Sequence, residues 1–380
     1  MIKQAFVFLM IYMSACFCAF AQGGEDALAN PDEDFVIASV LVASPGDEIY
    51  SAVGHACLRL QCPTHGLDFV FSEESEDARN KVLQFFAGNL KMGVRAVPTH
   101  EYVGEYAEEG RGVQEYMLNL PIKVKQRLWQ QMDGRLEYDD IPYDFLNHGC
   151  AQSVLSWLED AIDTDSLQYA EWPEYYDMTR REMVSENVAS SWAHLFFTIF
   201  IAGDSNDPDV SKSAKVVLPK DLVDVLCKAK AYGKPLLNGT PNTLQKKTKE
   251  IRYTWFTPDM LAIILLLIAI ANVFVRKALL RIPVLAIGSA IGCFVLYLLC
   301  FSDLTCTDWN WLVVPFFPLP LFAWKWRKHW ALPMAAICVV WSIAMLASPH
   351  ELEDMALIIL AVATAVIYFE IYKSSKIIKV

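Results

Sequence analysis

The sequence predicts an α+β domain outside the cytoplasm, followed by an all-α membrane domain of about five helices. Three observations carry this reading. Of 380 residues, 54% are apolar, too many for a purely soluble chain, and the length exceeds one ordinary domain. The apolar excess is concentrated after Pro258, where five segments approach the roughly 20 residues of a bilayer crossing. Ahead of them, β-branched runs come first and amphipathic helix patterns follow, the order of an α+β unit.

Taken in order, the chain opens with a secretory signal. Lys3 is a basic n-region, 5–20 an apolar stretch, and Ala19-Phe20-Ala21 a cleavage site, with removal after Ala21. Ser14-Ala15-Cys16 offers a rival lipidation box, but the apolar run continues past Cys16. Residues 22–33 have the polar, Gly- and Asp-rich composition of a disordered segment. Strands are predicted at 35–43, 49–61 and 67–71, from β-branched density and alternation. Helices are predicted at 121–136, after a proline start, and at 150–162, from its amphipathic period. Residues 195–202 are intensely apolar but too short to span; a buried core helix is the default, a dip into the outer leaflet the alternative. A polar loop at 205–215 and a mixed linker at 233–257 lead to the membrane. The implied domains are 1–21 (signal), 22–250 (extracytoplasmic) and 251–380 (membrane).

The five apolar segments run over 260–275, 282–301, 311–324, 330–348 and 355–372. Arg276, Lys277 and Arg281 form one basic connector, Lys325, Arg327 and Lys328 a second, and Lys373, Lys376 and Lys379 end the chain. Asp303, Asp308, Glu351, Glu353 and Asp354 lie in the connectors between. By the positive-inside rule the basic loops and C-terminus are cytoplasmic, and five crossings place the N-terminal domain outside, as the signal requires. Trp309, Trp311, Trp324, Trp326 and Trp330 sit at segment ends, where indoles favour the headgroup layer. Pro315, Pro318 and Pro320 make the third segment either a kinked span or a re-entrant element. No ionisable residue lies deep in a span, which weighs against an ion-coupled transporter. The net charge of −12 divides into +2 from Asp259 onward and −14 before it. An acidic domain without a basic patch sets nucleic-acid binding aside.

Two motifs carry chemistry. Gly54-His55-Ala56-Cys57-Leu58-Arg59 reads as a strand bearing a histidine. Tyr143-Asp144-Phe145-Leu146-Asn147-His148-Gly149-Cys150-Ala151 reads as a loop delivering a cysteine to a helix start. A thiol needs a base to become a thiolate, and histidine is the usual one. The positive end of the helix dipole would lower the Cys150 pKa, and His55 would act as base and then acid. Because the histidine precedes the cysteine, the reverse of the papain order, this points to a circularly permuted Cys–His hydrolase or transferase. Residue types alone favour the plainer reading of a buried cysteine and a satisfied histidine. Cys57-x4-Cys62-x2-His65 has zinc-ligand types without a common finger spacing. A Cys57–Cys62 disulfide is an option in an oxidising compartment. Asp204, Asn206, Asp207 and Asp209 resemble a calcium loop whose twelfth position is Lys215, and read as a solvated turn.

Both motifs resemble those of the Lnb family, the lipoprotein N-acyltransferases of the Bacteroides type. The first matches at Gly54, His55, Leu58 and Arg59, the second at Tyr143, Phe145, Leu146, Cys150 and Ala151. Gly203-Asp204 and Val217-Leu218-Pro219 recur in family order, and the tail with its 302–310 connector fits as well. Gly149 stands where the family has asparagine, and Gln152 where it has threonine. The resemblance implies a permuted papain-like (NlpC/P60-like) α+β periplasmic domain followed by an all-α five-helix transmembrane domain in the bacterial inner membrane. It implies acyl transfer from a phospholipid, through a thioester on Cys150, to the α-amino group of a diacylated lipoprotein. His55 would be the base and Asp68 the third catalytic residue, with His65 its alternative. Tyr143 would be an extra oxyanion donor, and Arg59 either a phosphate-binding group or a structural ion pair. No cofactor is implied. Against transfer stand hydrolysis by the same dyad, of phospholipid or peptidoglycan, and a non-catalytic membrane scaffold.

Overall fold

The structure is a computed structural model that describes residues 36–75, 81–136, 141–142, 144, 146–169, 179–188, 190–201, 216–250, 254–304, 310–347 and 354–377. The signal segment, the polar stretch after it, Tyr143, Phe145, the 203–215 run and Trp309 lie outside the described residues.

Among the described residues ten strands form: β1 (Ile37–Ala43), β2 (His55–Cys62), β3 (Leu67–Ser75), β4 (Lys91–Pro98), β5 (Val113–Met117), β6 (Ile141–Pro142), β7 (Leu167–Gln168), β8 (Lys230–Ala231), β9 (Lys234–Pro235) and β10 (Asn242–Gln245). Seven of them make one antiparallel sheet in the order β10-β5-β1-β2-β3-β4-β6, and β7, β8 and β9 pair separately. The three predicted strands are its centre. β3 continues past Phe71 to Ser75, because Ser72, Glu73 and Glu74 pair with Arg95, Val94 and Gly93 of β4.

Among the described residues seven α-helices accompany the sheet: α1 (Val82–Phe86), α2 (Thr99–Glu109), α3 (Ile122–Arg135), α4 (Cys150–Ala161), α5 (Arg180–Asn187), α6 (Ser191–Phe200) and α7 (Pro219–Lys228). Strand alternation sends successive side chains to opposite faces. Ala38, Val40, Ala56, Leu58, Leu60 and Phe71 meet α3, α4 and α7 on one face. Leu41, Cys57, Val70, Val97 and Val113 meet Tyr102 of α2 on the other. The same alternation rules out the disulfide option. Cys57 and Cys62 sit an odd number of positions apart on β2, both are free, and the Cys57 thiol donates to Tyr102 Oη at 3.1 Å. Opposite faces equally separate them as zinc ligands.

Four of the five expected membrane segments form helices long and apolar enough to cross: α8 (Pro258–Val275), α9 (Ile282–Phe301), and, after two short ones, α12 (Arg327–Ala347) and α13 (Met355–Ile377). The third segment instead forms α10 (Val313–Phe316) and α11 (Leu319–Phe322), broken between them at Phe317 and Pro318. Proline lacks an N–H and blocks the preceding turn, so three prolines in six residues prevent one continuous helix. Contacts identify the two ends of this bundle. At one end Asn310 Nδ2 donates to the Ile199 carbonyl and Tyr297 Oη to the Leu83 carbonyl, both in the sheet domain. At the other, Arg281 Nη2 donates to Ser374 Oγ, and the Trp330 ring stands edge-on to Tyr368. The broken segment therefore runs from the domain end to the far end. Glu370, near the end of α13, is buried with Lys373 Nζ at 3.4 Å, an ionisable group the sequence reading did not place inside the bundle.

The described part of the apolar run, 195–201, lies in α6 and its C-cap. It is buried, yet much of what buries it belongs to the membrane half: Phe197 and Phe200 share a cluster with Leu298 and Leu304. Phe86 of α1 packs edge-on against Phe294 of α9 with ring centroids 4.9 Å apart. The sheet domain and the bundle thus meet through phenylalanines.

Candidate active site

Two local signals set the dyad. Gly54 turns the chain into β2 at φ +86°, and a Cβ there would collide with the Ala43 carbonyl oxygen. That turn puts His55 at the first position of the strand. Gly149 is the extended N-cap of α4, so Cys150 is its first helical residue. The side chain of Gln152 accepts from the Gly149 N–H at 3.3 Å and donates to the Leu146 carbonyl at 2.8 Å. The two departures from the Lnb pattern, Gly149 and Gln152, therefore bond to one another. Asp144 Oδ1 accepts from the N–H groups of Leu146 and Asn147, and buried Arg180 donates to the Leu146 carbonyl at 3.0 Å. The cysteine loop is held from both sides.

Cys150 and His55 line one cavity of about 290 Å³, between the sheet end and α6. Phe85, Phe196, Phe197 and Phe200 supply its apolar wall, and Glu73 and Glu74 of β3 also face it. The Cys150 sulfur accepts from the backbone N–H groups of Ala56 and Ala151. No hydrogen bond joins the two side chains among the described residues; His55 Nε2 lies 2.7 Å from Ser72 Oγ on β3. Ser153, one turn along α4 from Cys150, donates its hydroxyl to Glu73.

Electrostatics differ from the expected activated thiol. Burial pushes the Cys150 pKa up to about 11, against the opposing pull of the Ala56 and Ala151 N–H groups, and Glu73 adds to the rise. Burial lowers that of His55 to about 4, and the Arg111 cation lowers it further. Desolvation disfavours whichever form is charged, so at neutral pH the cavity holds a Cys150 thiol and a neutral His55 imidazole. The helix dipole is outweighed.

Asp68 is not the third residue. It sits at the opposite end of the β2–β3 hairpin, opposite Gln61, and receives both prongs of Arg59: Nε to Oδ1 at 2.8 Å and Nη2 to Oδ2 at 2.7 Å. Thr99 donates to it as well. Arg59 Nη1 donates to Glu115 Oε1 at 2.7 Å, which also accepts from Ser39. Arg59 is thus a structural ion pair spanning β5, β1, β2 and β3, with no fork left for a phosphate. His65 lies in the exposed turn beyond β2, about 20 Å of strand from His55. The place beside His55 belongs to Ser72, which sequence reasoning missed because the predicted strand stopped one residue short. Carrying the strand to its polar end would have found it.

Comparison with known proteins gives one match. Residues 32–184 match the family described as Lnb N-terminal periplasmic domain, a span that includes Gly54, His55, Ser72, Gly149 and Cys150. No curated protein and no solved structure matches the chain.

Proposed function

Residues 32–184 match the Lnb N-terminal periplasmic domain, and from that premise we propose that the chain is a membrane-anchored lipoprotein N-acyltransferase of the Lnb family, with Cys150 as nucleophile and His55 as base. One observation carries the reading: the thiol and the imidazole open into a phenylalanine-walled cavity built where the sheet domain meets the membrane helices. Such a wall suits an acyl chain, and such a position suits a substrate drawn sideways from a bilayer.

The chemistry divides into two acyl transfers. Ser72 engages Nε2, so Nδ1 is the nitrogen that takes the Cys150 proton as sulfur attacks the ester carbonyl of a phospholipid. The tetrahedral oxyanion is met by the backbone N–H groups of Ala56 and Ala151, which already point at the sulfur. Collapse expels the glycerol oxygen, which takes the proton from His55 and leaves as a lysophospholipid. The acyl thioester remains. In the second transfer the α-amino group of a diacylglyceryl-cysteine attacks, the C–S bond breaks, and Cys150 regains its proton. A neutral dyad fits an ester substrate, since the thiol need be deprotonated only as it attacks. The sheet-and-helix arrangement supports a permuted papain-like fold: the cysteine starts a helix on the sheet, and histidine and its partner lie on adjacent strands. In this reading the chain crosses the inner membrane five times, the third time as a broken element, with a cytoplasmic C-terminus.

The test is mass spectrometry of lipoprotein N-termini from deletion cells carrying wild type, Cys150→Ala or no gene. Diacyl forms restored to triacyl by wild type alone establish the reaction. Triacyl forms restored by Cys150→Ala as well sink it.

A further inference from the structure

A buried carboxylate beside a nucleophilic thiol is a liability for the first transfer, because negative charge opposes thiolate formation. Glu73 is such a group. It is 5% exposed, stands on the face of β3 that meets α4, lines the reactive cavity and is fixed by the hydroxyl of Ser153. Glu74 also lines the cavity and lies 3.1 Å from Arg95. No lysine or arginine does so among the described residues, and the carboxylates in the lining are those of Glu73 and Glu74. The cavity is hospitable to an ammonium group and hostile to an anion.

We propose that Glu73 is the binding group for the acceptor amine, a primary α-ammonium at a peptide N-terminus, and receives its first proton. This deepens the acyltransferase reading and rests on it. The ammonium enters as the counter-ion of Glu73. One proton passes to the carboxylate and on to water. The neutral nitrogen then attacks the thioester carbonyl, its second proton goes to His55, and His55 returns it to the departing Cys150 sulfur. Two protons leave the ammonium, one amide bond forms and one thioester bond breaks. Glu73 thus serves the second transfer at the expense of the first, which explains its place beside the thiol. A purely structural Glu73 would act by joining β3 to α4 through Ser153.

Glu73→Gln separates these roles, because glutamine still accepts the Ser153 hydroxyl while losing the charge. Full-length wild type and Glu73→Gln, purified in detergent, are mixed with dioleoyl phosphatidylethanolamine and followed by intact mass. A synthetic diacylglyceryl-cysteine peptide with a free N-terminus is then added. The variant is expected to form the Cys150 acyl-enzyme at least as fast as wild type. Its transfer to the amine should slow by about 100-fold, the usual scale for one proton-transfer group, so that acyl-enzyme accumulates. Transfer at the wild-type rate overturns the proposal. Equal slowing of both steps assigns Glu73 a structural role, which also overturns it. Ser153→Ala checks the same point: it loses the tether and keeps the charge, so its amine transfer should exceed that of Glu73→Gln. If Cys150 is acylated in neither protein, the acyltransferase reading itself falls.

Discussion

At the scale of single residues, the dyad is stored uncharged, and this has consequences for pH. His55 has its pKa lowered from 6.5 to about 4, so below pH 6.5 the unfolded chain binds a proton that the folded chain refuses. Stability contributed by this residue is therefore complete above pH 6.5 and is lost as pH falls towards 4, by up to about 3 kcal/mol. His55→Gln should lose less on going from pH 7 to pH 4.5, measured as the thermal midpoint in detergent. Cys150, pushed up to about 11, should alkylate slowly with iodoacetamide at pH 8 and accelerate as pH rises through that value. Ser72→Val should lower Cys150 acylation about tenfold by freeing the imidazole, the worth of one hydrogen bond. Asp68→Asn should leave acylation per folded molecule unchanged. Arg59→Ala should act on folding rather than on substrate, since it strands the buried Glu115 carboxylate; a cost of about 3–5 kcal/mol is expected in urea melts. Cys150 and His55 were legible in the sequence because their motifs are local. Ser72 was hidden because a serine followed by two glutamates reads as the end of a strand, and only pairing with β4 extends it.

At the scale of elements, α6 and the broken third segment matter most. Four aromatic side chains from α1 and α6 wall the cavity, so Phe196→Trp should shift acyl preference towards shorter chains, read from the mass of the acyl-enzyme. Gly292 of α9 lies against the break. A Cβ at that position would collide with the Phe316 carbonyl, which α10 presents only because the helix stops there. Gly292→Val should lower the melting temperature of the purified protein, whereas Gly288, whose Cβ would meet only side chains, should accept alanine. The prolines made the break legible in advance, since their effect on a helix is local. The strand Lys91–Pro98 was not legible: Lys91 and Arg95 face outward, burial of Val94 depends on the cluster with α3 and α4, and burial of Val97 on Tyr102 of α2. Glu115 on β5 is buried only because Arg59 comes to meet it.

At the scale of the whole molecule, the apolar excess and charge alternation announced a membrane tail, but not that it would complete the core of the other half. Phe197, Phe200, Leu298 and Leu304 form one cluster, so truncation after Glu250 should expose α6 and yield an aggregating fragment, checked by size exclusion without detergent. Several hydrogen bonds link the halves, among them Tyr297 to Leu83, Asn310 to Ile199, the Asp303 N–H to the Ala87 carbonyl, and Asp354 to His194 at 3.4 Å. Ties at several points hold the domain to its anchor, so in the proposed function the thiol keeps one height above the lipid plane. The proposed reaction would then obey the arithmetic of a surface. Diluting the donor lipid with an inert detergent at constant bulk concentration should slow acylation in proportion to its mole fraction, while adding more micelles of the same composition should leave the rate unchanged once the enzyme is saturated with surface.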